Sequence, residues 1–239
     1  MRKMGKKWTR MAIWLTGTLL FITSAALADS SAERIKNCPD ENWCAYHRTM
    51  DRAWRHSPLD QINASNVKQL RPVWIFQPGE VNMGLQSTPL VIDGMMYVST
   101  NPSTVWKLNA ATGERLWAYE PEMNEAVLSR TFFPHTRGLT IGDGRVYMGL
   151  ADGRVVAVDE QSGKVVWDKQ LVDSKKDTAG FSGAGTFVNS DLLVIGQNGG
   201  EYPVEGRIFG LDPKTGEVKW TFYWSRSSAS IWTMTTSKI

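Results

Sequence analysis

From residue 80 to residue 224 the apolar positions come in short runs, and the runs repeat in one layout. Pro89–Val98, Leu139–Met148 and Phe187–Ile195 are apolar stretches, each broken in the middle by a polar turn. The turns are Asp93-Gly94, Asp143-Gly144 and Asn189-Ser190-Asp191. Asp-Gly between two apolar runs is a strong hairpin signal. A further apolar segment follows in each unit: Val105–Leu108, Val155–Val158 and Ile208–Leu211. Each runs straight into a second polar turn and then into an outgoing segment that carries a tryptophan, Trp117, Trp167 or Trp220. The layout predicts four short strands per unit, and none of the runs has the length or the 3.6-residue spacing of a helix.

The second turn is the most regular feature. It reads Asn109-Ala110-Ala111-Thr112-Gly113, Asp159-Glu160-Gln161-Ser162-Gly163 and Asp212-Pro213-Lys214-Thr215-Gly216, with the tryptophan four residues after each glycine. The glycines fall 50 and then 53 residues apart. An Asp or Asn side chain accepts the backbone N–H groups of a tight turn. Glycine takes a positive φ that other residues resist. The tryptophan is large and flat enough to fill the gap between neighbouring units. One such turn implies a hairpin, but three at a near-constant period imply a repeat. Units of about fifty residues with four strands have the size and content of β-propeller blades. The expected fold is all-β.

The N-terminus has a different pattern. Arg2, Lys3, Lys6, Lys7 and Arg10 form a basic region, Met11 to Ala25 is mostly apolar, and Ala26-Leu27-Ala28 precedes polar Asp29-Ser30-Ser31. That order predicts a secretory signal peptide over 1–28, with the apolar run too short for a membrane span. The formal net charge is +3, and removing the five basic residues would leave the mature chain slightly acidic, without the footprint expected for nucleic acid. With 42% hydrophobic residues and 11 Trp, the chain can bury a core. Two cysteines, Cys38 and Cys44, suggest a small disulfide loop if the chain is exported. His47, His56 and His135 lack metal-ligand spacing and read as surface or packing histidines.

Residues 29–79 do not repeat the blade pattern. Val73-Trp74-Ile75-Phe76 reads as a strand, and Ile62 with Val67–Leu70 predicts a short helix capped by Asn63 or Ser65. Four features of this segment carry a resemblance: Asn42-Trp43, Ser57-Pro58-Leu59 with Gln61-Ile62-Asn63, Val67 with Leu70, and Val73-Trp74 with Phe76. They resemble the N-terminal segment of pyrroloquinoline quinone (PQQ)-dependent alcohol dehydrogenases, the periplasmic quinoproteins of the methanol and ethanol dehydrogenase type. The three Gly-x-x-x-Trp turns resemble that family's tryptophan docking motif. The resemblance covers roughly residues 41–224. It implies an eight-bladed propeller carrying PQQ and a calcium or lanthanide ion on its axis. The implied reaction oxidises an alcohol and passes the electrons to a separate cytochrome.

The resemblance also implies roles for single residues. Glu201, in Gly199-Gly200-Glu201, matches the family's metal-ligating Glu, and the two glycines match small residues lying against the quinone. The chemistry is consistent, since a hard cation prefers carboxylate oxygen. Arg137-Gly138 matches an Arg-Gly whose guanidinium meets the ortho-quinone. Ser182 stands at a Thr position and keeps the hydroxyl, and Asn198 falls where the family often has Ser beside the cofactor. Gln86 stands where methanol dehydrogenases have a PQQ-contacting Glu. Trp43 and Trp106 read as core residues. The family's adjacent cysteine pair is replaced by Thr131-Phe132, so that disulfide ring cannot form over the quinone.

The 211 residues from Asp29 to Ile239 allow three blades and a part. The resemblance expects about twice as much chain for the ring, with the catalytic Asp in the later part. Residues 225–239 are Ser/Thr-rich and depart from the family pattern, as a frameshift or a truncated gene copy would make them. The expectation is a partial propeller of three to four blades. It would be periplasmic and inactive alone, with an open edge available for self-association. The alternative is a non-catalytic periplasmic propeller segment that serves as an interaction scaffold.

Overall fold

A computed structural model describes residues 35, 37–49, 55–79, 84–123, 135–174, 176–200, 202 and 204–224. The signal-peptide segment, Thr131-Phe132, Glu201 and the 225–239 tail lie outside the described residues. Three four-stranded antiparallel sheets make up the body. The first comprises β1 (Leu90–Ile92), β2 (Met95–Thr100), β3 (Thr104–Asn109) and β4 (Arg115–Tyr119). The second comprises β5 (Thr140–Gly142), β6 (Arg145–Gly149), β7 (Arg154–Asp159) and β8 (Val165–Gln170). The third comprises β9 (Thr186–Asn189), β10 (Leu192–Gly196), β11 (Gly206–Leu211) and β12 (Val218–Trp224). Each sheet is a simple meander, with strands hydrogen-bonded in chain order. The expected blades are therefore present, and they form an open array.

The middle blade is covered on both faces. Val156 and Val158 join Leu90, Ile92, Tyr97 and Val105 in a core against the first blade. Val155 and Ala157 join Phe187, Leu193, Phe209 and Leu211 in a core against the third. These four residues of β7 are 0–1% exposed, which is why Val155–Val158 reads as an unbroken apolar run rather than an alternating one.

The repeated turns dock blade to blade. In each turn one side-chain oxygen accepts two backbone N–H groups: Asn109 from Ala111 and Thr112, Asp159 from Gln161 and Ser162, Asp212 from Lys214 and Thr215. Gly113, Gly163 and Gly216 have φ of 73°, 70° and 72°. A Cβ on Gly163 would sit 2.8 Å from the Trp117 ring, and one on Gly216 would sit 2.7 Å from the Trp167 ring. Each tryptophan thus lies flat on the glycine of the following blade. Its indole N–H donates to the carbonyl three residues before that glycine, Trp117 to Glu160 at 3.2 Å and Trp167 to Pro213 at 3.0 Å.

The tryptophans differ in burial. Trp167 is 7% exposed, whereas Trp117 and Trp220 are half-buried. Trp220 is offered no following turn among the described residues and lies over Gly210 of its own sheet.

The N-terminal segment holds a docking residue that the repeat pattern did not include. The Trp74 ring lies over Gly113, 2.6 Å from where a Cβ would be, and its N–H donates to the Ala110 carbonyl at 3.1 Å. This is the geometry of Trp117 and Trp167. Residues 73–76 pair with no strand among the described residues, so the expected strand is an extended segment. Trp74 and Phe76 pack inward on Val98, Trp106 and Leu108, while Val73 and Ile75 are 90% and 81% exposed. The expected helix is a single 3-10 turn, Val67–Gln69, with Asn66 at the N-cap position but making no side-chain capping bond. Asn63 shapes the turn before it by accepting the Ser65 N–H.

Asn42-Trp43 ties the chain start to the first blade. Trp43 exchanges two backbone hydrogen bonds with Val91, and the Asn42 amide bonds the Asp93 carboxylate and backbone N–H. The Cys38–Cys44 disulfide forms as expected.

Candidate functional site

The meander decides which loops share an end. In every blade the segment entering the first strand and the loop joining the second and third strands lie at one end. The Asp/Asn-Gly turns lie at the other. Gln86, Arg137 and Ser182 all lie on entering segments, three or four residues before β1, β5 and β9. Asn198, Gly199 and Gly200 lie between β10 and β11. The topology therefore gathers every described candidate at the same end of the array.

Hydrogen bonds link these candidates across blades. The Arg137 guanidinium donates to Ser182 Oγ at 2.8 Å, and the Arg137 backbone N–H donates to the Ser182 carbonyl at 2.7 Å. Ser182 is buried and Arg137 is exposed, so a buried serine anchors an exposed cation. Asn198 Oδ1 accepts the Gly180 N–H at 2.7 Å, while the Asn198 N–H donates to the Gly180 carbonyl at 2.9 Å. Its carboxamide oxygen is thus committed to positioning the Ser182 loop, a supporting role the sequence did not suggest. Gly199 has φ 102° and is buried, and a Cβ there would meet the Thr178 carbonyl at 2.8 Å. Only glycine fits. Gly200 is exposed, and a Cβ there would meet nothing within 4 Å.

Gln86 is joined to Arg137 through a residue read from sequence only as a packing or surface histidine. Its carboxamide lies 3.2 Å from His135 Nε2. Asn101, on the loop between β2 and β3, reaches His135 Nδ1 at 3.2 Å and also holds the Thr136 N–H and the Gly84 carbonyl. His135 is 5% exposed. Burial, and then the charge of Arg137, hold its imidazole below the usual histidine range. The available signal was topological: Asn101 and His135 sit on two loops that the repeat places at one end.

A cavity of about 280 Å³ opens beside Arg137. Tyr46, His47, Gly183, Ala184 and Thr186 contribute to its wall. Small residues on one side let a flat ligand approach the backbone, and the guanidinium supplies a fork of donors for anionic or carbonyl oxygens. Among the described residues no group of three His, Cys, Asp or Glu is placed to hold a metal ion.

Comparison with known proteins identifies the family of the blades. The PQQ family model described as the glucose/ethanol/alcohol dehydrogenase β-propeller domain matches residues 43–238. The chain belongs to the PQQ-dependent alcohol dehydrogenase family. It is 38% identical over 170 residues to a quinohemoprotein alcohol dehydrogenase of Comamonas testosteroni, covering 71% of this chain and 24% of that protein. It is 38% identical over 189 residues to the dehydrogenase subunit of an alcohol dehydrogenase (quinone) of Acetobacter aceti, covering 77% and 25%. The crystal structure of the Comamonas testosteroni enzyme superposes with a TM-score of 0.73 at 34% identity, over 82% of this chain and 29% of that one. A europium-containing methanol dehydrogenase superposes equally well, at 0.73 and 29% identity, over 80% and 33%. The chain spans about a quarter of the length of the curated relatives it matches.

Proposed function

We propose that the chain is the N-terminal part of a periplasmic PQQ-dependent alcohol dehydrogenase and carries one side of its quinone pocket. The observation that carries this reading is the exposed Arg137 guanidinium anchored on buried Ser182 at the end of the array where every described candidate gathers. The donor set fits PQQ, whose oxygens are anionic or carbonyl. When bound, PQQ supplies a two-electron acceptor for alcohol oxidation.

The chain's own residues bind and orient the quinone. Arg137 meets its oxygens, Ser182 and Gly180 fix the loop from which the guanidinium is presented, and Gly199 lets the backbone approach. Glu201, adjoining Gly200, is the candidate carboxylate for calcium or a lanthanide. Among the described residues no group of three His, Cys, Asp or Glu is placed to hold a hard cation, which takes six to eight oxygens as calcium. The metal therefore enters no step of this account. Electrons passing to a cytochrome, and an alcohol as substrate, are part of the same proposal. It rests on family membership and on relatives named as alcohol dehydrogenases and quinohemoproteins.

A polypeptide of these 239 residues, supplied with PQQ and calcium, is expected not to reduce an artificial dye with ethanol, because one wall of a pocket leaves the quinone open to water. PQQ-dependent dye reduction by the purified chain would overturn the claim of inactivity. It would show either that self-association completes the pocket or that the base lies within this chain.

A further inference from the structure

His135 sits where its protonation state is dictated by its neighbours. Asn101 has a fixed orientation, because only an oxygen can accept the Thr136 N–H at 3.0 Å and only the NH2 can donate to the Gly84 carbonyl at 2.9 Å. That NH2 also lies 3.2 Å from His135 Nδ1. A donor facing Nδ1 requires Nδ1 to be the acceptor, so the neutral ring carries its proton on Nε2. Burial, and then the nearby charge of Arg137, favour the neutral ring over the charged one.

The consequence reaches Gln86. Its carboxamide nitrogen lies 3.2 Å from Nε2, and two N–H donors cannot bond one another. A half-turn of the carboxamide satisfies the pair, with Oε1 accepting the Nε2 proton and the NH2 pointing outward. We propose that His135 is a positioning residue. Through the tautomer that Asn101 imposes, it holds Gln86 with its carbonyl inward and its NH2 donors presented to solvent beside Arg137. Gln86 then adds N–H donors to those of Arg137 at this end of the blades, an arrangement that favours carboxylate and carbonyl oxygens on a ligand. A glutamate at position 86 would present acceptors instead. The choice of PQQ as that ligand rests on the function proposed above; the tautomer does not.

The test uses the full chain carrying His47→Gln and His56→Gln, which leaves His135 as the one histidine. With 15N-labelled histidine, a long-range proton–nitrogen correlation spectrum at neutral pH is expected to show Nδ1 unprotonated and Nε2 protonated. A proton on Nδ1, or a doubly protonated ring, overturns the proposal, and no ligand is needed to read it. PQQ titration then tests whether His135 acts through Gln86. His135→Ala and Gln86→Met are each expected to weaken binding about two- to tenfold, the worth of one hydrogen bond. The double variant is expected to bind no more weakly than Gln86→Met. A further loss in the double variant overturns the positioning role. If PQQ binds none of these proteins, the proposed function fails, while the tautomer pattern still decides the arrangement of His135, Asn101 and Gln86.

Discussion

Replacing Gly216 by Ala tests the docking geometry that orders the blades. The new Cβ would lie 2.7 Å from Trp167 Cε3, closer than ordinary contact, at a residue with φ of +72°. The Lys169 side chain, 2.8 Å away, can move aside; the indole cannot, because its N–H is held by the Pro213 carbonyl at 3.0 Å and the ring is 7% exposed. The cost has two parts: about 1–2 kcal/mol for a left-handed alanine and about 1–3 kcal/mol for overpacking against the indole. Trp167→Ala alone should cost about 3–5 kcal/mol, as for other large core aromatics. In the double variant the ring is gone, so Gly216→Ala should cost the backbone part alone. Urea denaturation followed by far-UV circular dichroism measures all four corners of the cycle. The expected coupling is about 1–3 kcal/mol, with the double variant more stable than the sum of the singles predicts. Additivity within about 0.5 kcal/mol would refute the claim that Trp167 and Gly216 form one docking unit.

Two further outcomes are expected. His135 has a folded-state pKa below its unfolded value, so the unfolded chain binds a proton more readily. Stability should hold above about pH 6.5 and fall as pH drops below it; His135→Gln should flatten that slope, and equal slopes in both proteins would contradict the assignment. Export should remove residues 1–28, so that N-terminal sequencing of periplasmic material begins at Asp29, whereas full-length protein kept in the inner membrane would contradict it.

The fold was legible wherever its determinants are local. The Asp-x-x-Ser-Gly turn around Asp159 closes on its own backbone N–H groups, and Gly163 needs a positive φ, so five consecutive residues announce it. Trp74 was missed because its turn lies 39 residues downstream, at Gly113, and the first full repeat begins after it. Its spacing was a usable signal, since Trp74 precedes Trp117 by 43 residues, close to the 50 that separate Trp117 from Trp167.

The candidate site was legible in part for the same reason. Arg137 and Ser182 could be placed by resemblance, and the structure brings them into contact. Asn198 was read as facing a ligand, but its oxygen holds Gly180, a contact between loops that no single stretch of sequence displays. The bridge from Gln86 through His135 to Asn101 also spans three connecting segments, with partners 49 and 34 residues apart. Long-range pairing of polar side chains carries no periodic signature, which is why only the turns and strands could be read directly.

The most direct test of the central claim is a PQQ titration of the purified chain, followed by quenching of tryptophan fluorescence, with Arg137→Ala run in parallel. Arg137 is exposed but bonds buried Ser182 Oγ, so the unfolding midpoint of the variant is measured alongside and affinities are compared where both proteins are folded. The account predicts saturable, weak binding by the unaltered chain and a further loss of about tenfold or more in Arg137→Ala, since hydrogen bonds to charged groups contribute about 1.5–3 kcal/mol. Equal affinity in the two proteins, or no saturable binding by the unaltered chain, would contradict the assignment of this end of the blades as a quinone pocket.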